Sequence, residues 1–175
     1  MLNFKTVATG AAIAALSATM AFASDSAGPG DAGFTKYGAV EGWNVFVDNE
    51  KKSCLIERVD PAGTVVQMGL TKDHKFGYVG VFSTGDTGVK KGKKSEIFLD
   101  IDGQLFSSTA TGLKGNITEG YTGGYILANN PVFIDAVKTK YIMTVFPDKT
   151  AAFKVDLHGT YKAMDMARKC NGEQG

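Results

Sequence analysis

Two histidines, His74 and His158, and two cysteines, Cys54 and Cys170, are the side chains of widest chemical range in this sequence. His158 stands two residues after Asp156, and a His–Asp pair can orient an imidazole as a base. A base needs a nucleophile, yet neither G-x-S-x-G nor S-x-x-K occurs. An envelope hydrolase using His158 and Asp156 with an unassigned Ser or Thr therefore remains an alternative. The favoured expectation is that His158 hydrogen-bonds at a strand–helix junction. His74 falls in the polar turn Thr71-Lys72-Asp73-His74-Lys75 and is expected in solvent. With both cysteines paired, too few His and Cys remain for zinc. Asp100-Ile101-Asp102-Gly103 hints at a calcium loop, but an EF-hand needs Gly sixth and Glu twelfth. Here Gly103 is fourth and Thr111 twelfth, so a solvated hairpin tip is expected. Gly28-Pro29-Gly30-Asp31-Ala32-Gly33 fits G-x-G-x-x-G without the preceding strand that a dinucleotide site requires. No catalytic residue, metal site or cofactor is expected.

Lys90-Lys91-Gly92-Lys93-Lys94 concentrates more charge than any other stretch. Beside an anionic membrane each such residue adds about 1 kcal/mol, screened by salt. Lys90, Lys91, Lys93 and Lys94 are thus a candidate site for anionic surfaces, giving peripheral membrane contact. The plainer expectation is a solubilising loop that discourages edge pairing of the next strand. Across the chain, 19 basic residues balance 18 acidic ones, which argues against a general nucleic-acid binder.

The cysteines take their meaning from the first residues. Lys5 precedes an Ala-rich apolar stretch, Val7 to Leu16, and Ala21-Phe22-Ala23 supplies small residues before Ser24. A positive start, a short apolar core and an A-x-A site form a cleavable secretory signal. Cleavage after Ala23 would deliver the chain to the periplasm or the extracellular space, soluble because no second apolar segment of spanning length follows. In that oxidising setting an even cysteine count favours a disulfide, and Cys54–Cys170 is the one intrachain pairing. Closing a loop of about 100 residues is worth roughly 4.7 kcal/mol in the chain-entropy model.

The remaining residues must build one domain. After the signal at 1–23, residues 24–38 are Gly, Ala, Ser, Asp and Pro with little to bury, and read as a flexible leader. Residues 39–175 form a single β-rich domain. Short runs rich in β-branched and aromatic residues recur between turns: Trp43–Val47, Cys54–Val59, Thr64–Met68, Phe76–Ser83, Tyr125–Leu127, Tyr141–Phe146 and Ala151–Leu157. Glu96–Ile101 and Gln104–Ser107 flank Asp102-Gly103, the signal of a two-residue type I′ hairpin. Asn130-Pro131 reads as a cap and first helical position, leading into Val132–Val137. Near Gly159-Thr160 a second helix starts, and Ala163, Met166, Ala167 and Cys170 share one face of it. The fold class expected is an antiparallel β-sandwich or barrel-like domain with a short internal helix and a C-terminal helix.

Gly42-Trp43-Asn44-Val45, Cys54-Leu55-Ile56, the Lys94–Gly103 strand ending Ile-Asp-Gly, and Val155-Asp156-Leu157-His158-Gly159 leading to Ala163 resemble the invasion-associated locus B family. These short motifs span most of the chain after Ala23. Family members commonly carry Cys four residues after the Trp, where this chain has Val47, and often a further mid-chain pair. The resemblance implies a divergent, exported, β-sandwich-like protein of non-enzymatic type. Its partner would be a protein or an envelope component. A structural accessory subunit of an envelope complex is the other alternative, and would show an exposed apolar patch.

Overall fold

The computed structural model describes residues 33–71, 75–90, 92–112, 120–146 and 152–174. The expected signal peptide, the G-x-G-x-x-G match up to Ala32, His74 and Lys91 lie outside the described residues.

Ten strands and two helices follow in the order β1 (Phe34–Val40), β2 (Trp43–Asp48), β3 (Ser53–Val59), β4 (Val65–Leu70), β5 (Gly77–Ser83), β6 (Lys94–Ile101), β7 (Gln104–Gly112), β8 (Thr122–Ala128), α1 (Pro131–Thr139), β9 (Ile142–Val145), β10 (Phe153–Asp156) and α2 (Thr160–Gly172). The ladder order is β1-β2-β3-β4-β5-β8-β7-β6-β9-β10, antiparallel throughout. It does not close into a barrel. Between β7 and β8 only Thr111↔Tyr125 and Gly112↔Gly124 pair, so the ladder divides there into two sheets. Val79, Val81 and Ile126 of the first sheet meet Ile97, Leu99 and Val145 of the second around a residual void of only about 10 Å3. The sandwich expectation holds.

β1 corrects the leader expected over residues 24–38, because this strand begins at Phe34. Its sequence buries little, but main-chain pairing with β2 needs no apolar side chains. Tyr37 and Val40 then rest against the core, and α2 lies over β1, with Met166 Sδ against Gly38.

Local chemistry sets the other elements. The Asn130 side chain accepts from the Val132 N–H at 2.9 Å, a cap worth about 1 kcal/mol, with Pro131 in the first turn. Asp102 and Gly103 both take positive φ, 48° and 87°, as the type I′ turn demands. α2 starts on the Leu157 carbonyl, which accepts from the Thr160 hydroxyl at 2.6 Å. At its far end the Asn171 side chain accepts from the Cys54 N–H at 2.7 Å. Cys54 and Cys170 stand at disulfide distance, with Cα atoms 6.0 Å apart.

Candidate functional site: an apolar cleft under the helices

Alternation in β3, β4, β5 and β8 divides their side chains between two faces. Cys54, Ile56, Met68, Val79 and Ala128 point to the face on which α1 and α2 lie. There the second sheet no longer covers the first, and the helices do not fill the space it leaves. A cleft of about 240 Å3 results. Its floor consists of those residues with Phe133 and Val137 of α1 and Ala167 of α2, all buried. Leu70, Ile134, Met164 and Asn171 form its more open parts, and Lys138 and Arg168 are the charged residues of the lining among the described residues.

The two helices reach the cleft through different stripes. On α1, Phe133 and Val137 are one turn apart, and Phe133 is anchored edge-on against Phe106 with ring centroids 5.2 Å apart. On α2, the expected stripe Ala163, Met166, Ala167 and Cys170 packs inward, with Met166 only partly buried. Met164, Ala167, Arg168 and Asn171 form the adjoining stripe that faces the cleft. Sequence reasoning missed this second stripe. Its signal was Met164, an apolar residue beside the expected face, while Met166 of that face serves β1.

The opposite face of the same strands is filled. Tyr125 lies across Gly80, and Tyr78 across Gly69, where a Cβ would collide with either ring. Tyr78 and Phe82 both meet Tyr125 edge-on at 5.2 Å. The Tyr125 hydroxyl donates to Gln67 Oε1 at 2.7 Å, and Gln67 Nε2 donates to the Glu57 carboxylate at 2.7 Å. Burial first, then neighbouring Tyr125 and Asp48, push the Tyr78 phenol well above its usual range. Burial, then Glu57 and Asp48, do the same for Tyr125. Glu57 and Gln67 are each 1% exposed, so this network is core and leaves no space for a ligand.

Of the residues singled out from sequence, Cys54 lies in the cleft floor, and the described histidine, carboxylate and lysine candidates lie elsewhere. His158 is exposed, and its ring sits 3.8 Å from Glu41 rather than against Asp156. Asp156 instead accepts from the His158 backbone N–H and from Arg58, both at 2.8 Å. The carboxylate thus closes the turn after β10, and the hydrolase pairing is not formed. The His158 carbonyl accepts from the Trp43 indole at 2.9 Å and from Arg58 at 3.0 Å, tying the junction to the core. Lys162 hydrogen-bonds Glu41 and holds its carboxyl below the usual range against a smaller effect of burial.

Asp100 accepts from the Gly103 N–H, while Asp102 reaches β9 and accepts from the Tyr141 and Ile142 N–H groups. Both carboxylates therefore serve the hairpin rather than a common cation face. Among the described residues, no group of three or more His, Cys, Asp or Glu is placed to hold a metal ion. Lys90, Lys93 and Lys94 are exposed around a turn in which the Lys93 N–H donates to the Lys90 carbonyl at 3.0 Å. None of them lines the cleft. Among the described residues, no helix is long and apolar enough to cross a membrane.

Comparison with protein-family models, curated proteins and solved structures finds no match.

Proposed function

We propose that this protein is exported, with cleavage after Ala23, and acts outside the cytoplasm as a non-catalytic binding protein of the cell envelope. Its binding element is the cleft between α1, α2 and the first sheet. The observation that carries this reading is an open space of about 240 Å3 floored by buried apolar side chains. Well-packed interiors rarely leave voids much larger than a water molecule, whereas ligand sites are concave and mostly apolar. Export is supported by the sequence of residues 1–23 and by a cysteine pair at disulfide distance. Membership of a divergent branch of the invasion-associated locus B family fits the same reading through the short motifs named above.

A neutral dye that brightens in apolar surroundings, such as N-phenyl-1-naphthylamine with its naphthyl ring seated in the open cleft and its phenyl ring outside, tests the cleft. Periplasmically produced protein should bind it at a single site, and Ala167→Trp, which places an indole in the cleft, should weaken binding at least tenfold. Dye binding unaffected by Ala167→Trp, in protein whose circular dichroism is unchanged, would remove the cleft as the site. Finding the chain in its native cell with Met1 attached and in the cytosol would remove export.

A further inference from the structure

The charge at the cleft is one-sided. Among the described residues, Lys138 from α1 and Arg168 from α2 are its lining cations, and no Asp or Glu belongs to the lining. Lys138 is half-buried, its ammonium 5.6 Å from the centre of the Tyr161 ring. Arg168 is exposed and places one guanidinium nitrogen on Asp165, which leaves further N–H donors on the same group. Both cations lie on the helices, while the buried floor beneath is apolar. An apolar cavity of 150 Å3 accepts benzene, so about 240 Å3 has room for roughly ten carbon atoms. A ligand matching this lining has an apolar body of that size and an anionic end left at the helices.

We infer that the cleft takes a single-chain aliphatic carboxylate of medium length, its chain on the apolar floor and its carboxylate beside Lys138 and Arg168. The inference rests on the cleft being a ligand site, as proposed above. A free carboxylate is favoured over a bilayer lipid because the space holds roughly one short chain. Charge complementarity at a solvent-facing rim is worth up to roughly fivefold in affinity. Each methylene brought onto the floor is worth roughly fourfold until the cleft is full.

The experiment titrates the full mature chain, by dye displacement and calorimetry below micelle-forming concentrations, with hexanoate, octanoate, decanoate, decanol and decyltrimethylammonium. Affinity should rise from hexanoate to decanoate, and decanoate should bind about fivefold tighter than decanol. In the double variant Lys138→Gln with Arg168→Gln that ratio should fall towards one. These surface changes leave the floor intact, and circular dichroism checks folding. Equal or tighter binding of decanol or decyltrimethylammonium would overturn the anionic ligand while leaving the cleft a ligand site. Failure of all five compounds and of the dye would overturn both. Flotation with phosphatidylglycerol vesicles, without uptake of free decanoate, would assign the basic rim to a membrane surface and overturn the inference as well.

Discussion

The two faces of β3, β4, β5 and β8 bury similar strands by different means. On the ring face, glycine opposes aromatic side chain: Gly80 receives Tyr125, Gly69 receives Tyr78, and Gln67 joins the Tyr125 hydroxyl to Glu57. On the helix face, aliphatic side chains of moderate size stand under two helices that do not fill the space above them, and a cleft stays open. One face is fixed by contact geometry and hydrogen bonds, the other by where α2 is tethered. A cleft therefore stays open where packing is set by a tether, since packing set by contact would have filled the space.

The sharpest way to break this contrast is to crowd the ring face. Gly123 of β8 has φ of +155°, and a Cβ there would sit 2.1 Å from the Val81 carbonyl oxygen and 2.8 Å from Phe82. The obstacle is backbone and cannot swing aside. Gly123→Ala should cost more than about 4 kcal/mol, the range reserved for severe steric defects, and leave little folded protein by circular dichroism. At Gly103, with similar demand on φ but nothing within 4 Å, Ala should cost only about 1–2 kcal/mol. Equal tolerance at both positions would show that the ring face is not close-packed.

Next in size is the tether. Removing Cys54 and Cys170 together by Ala substitution should lower stability by about 2–5 kcal/mol in urea unfolding. Because Cys54 lines the cleft and Cys170 anchors α2 above it, dye binding should weaken even where the variant remains folded. Unchanged binding in folded variant would mean that Asn171 and the buried face of α2 hold the cleft open alone.

The contrast also explains what could be read in advance. Turn chemistry placed the elements well: Asn130-Pro131 and Asp102-Gly103 act through their own backbones, and the structure shows both. The cysteine pairing followed from count and the expected compartment. β1 was illegible because Phe34–Val40 is stabilised by pairing with β2 rather than by its own apolar pattern. The cleft was illegible for a related reason. β3 reads as Ser-Cys-Leu-Ile-Glu, buried residue after residue, so alternation cannot say which face meets helices. His158 and Asp156 were legible as neighbours, but which atoms they present to each other depends on the turn between them. A void has no residue of its own and appears only when distant elements are assembled.

High pH probes the ring face with a smaller expected effect at neutrality and a growing one above it. Tyr78 and Tyr125 are raised in the folded state, so each favours folding while protonated. That contribution is fully present below the unfolded phenol value near pH 10, and is lost progressively as pH rises above it. Absorbance at 295 nm should show most of the six tyrosines ionising before two that titrate only as near-ultraviolet circular dichroism disappears. In Tyr125→Phe the late group should shrink by one. Smooth ionisation of all the phenols with the fold retained would show that the ring face admits water.

The smallest effect should come from adding bulk where the structure has room. Ala167 is buried in α2 and borders the cleft, so Ala167→Leu can place its new methyl groups in existing space. Leu is a good helix former, and filling void regains contacts that offset lost side-chain freedom. Stability should change by less than about 1 kcal/mol in either direction, while binding of the neutral dye falls several-fold. On a filled face the same enlargement would cost about 1–3 kcal/mol through overpacking. A cost in that range at Ala167 would mean that the space under the helices closes in solution, and the two faces would then differ only in their side chains.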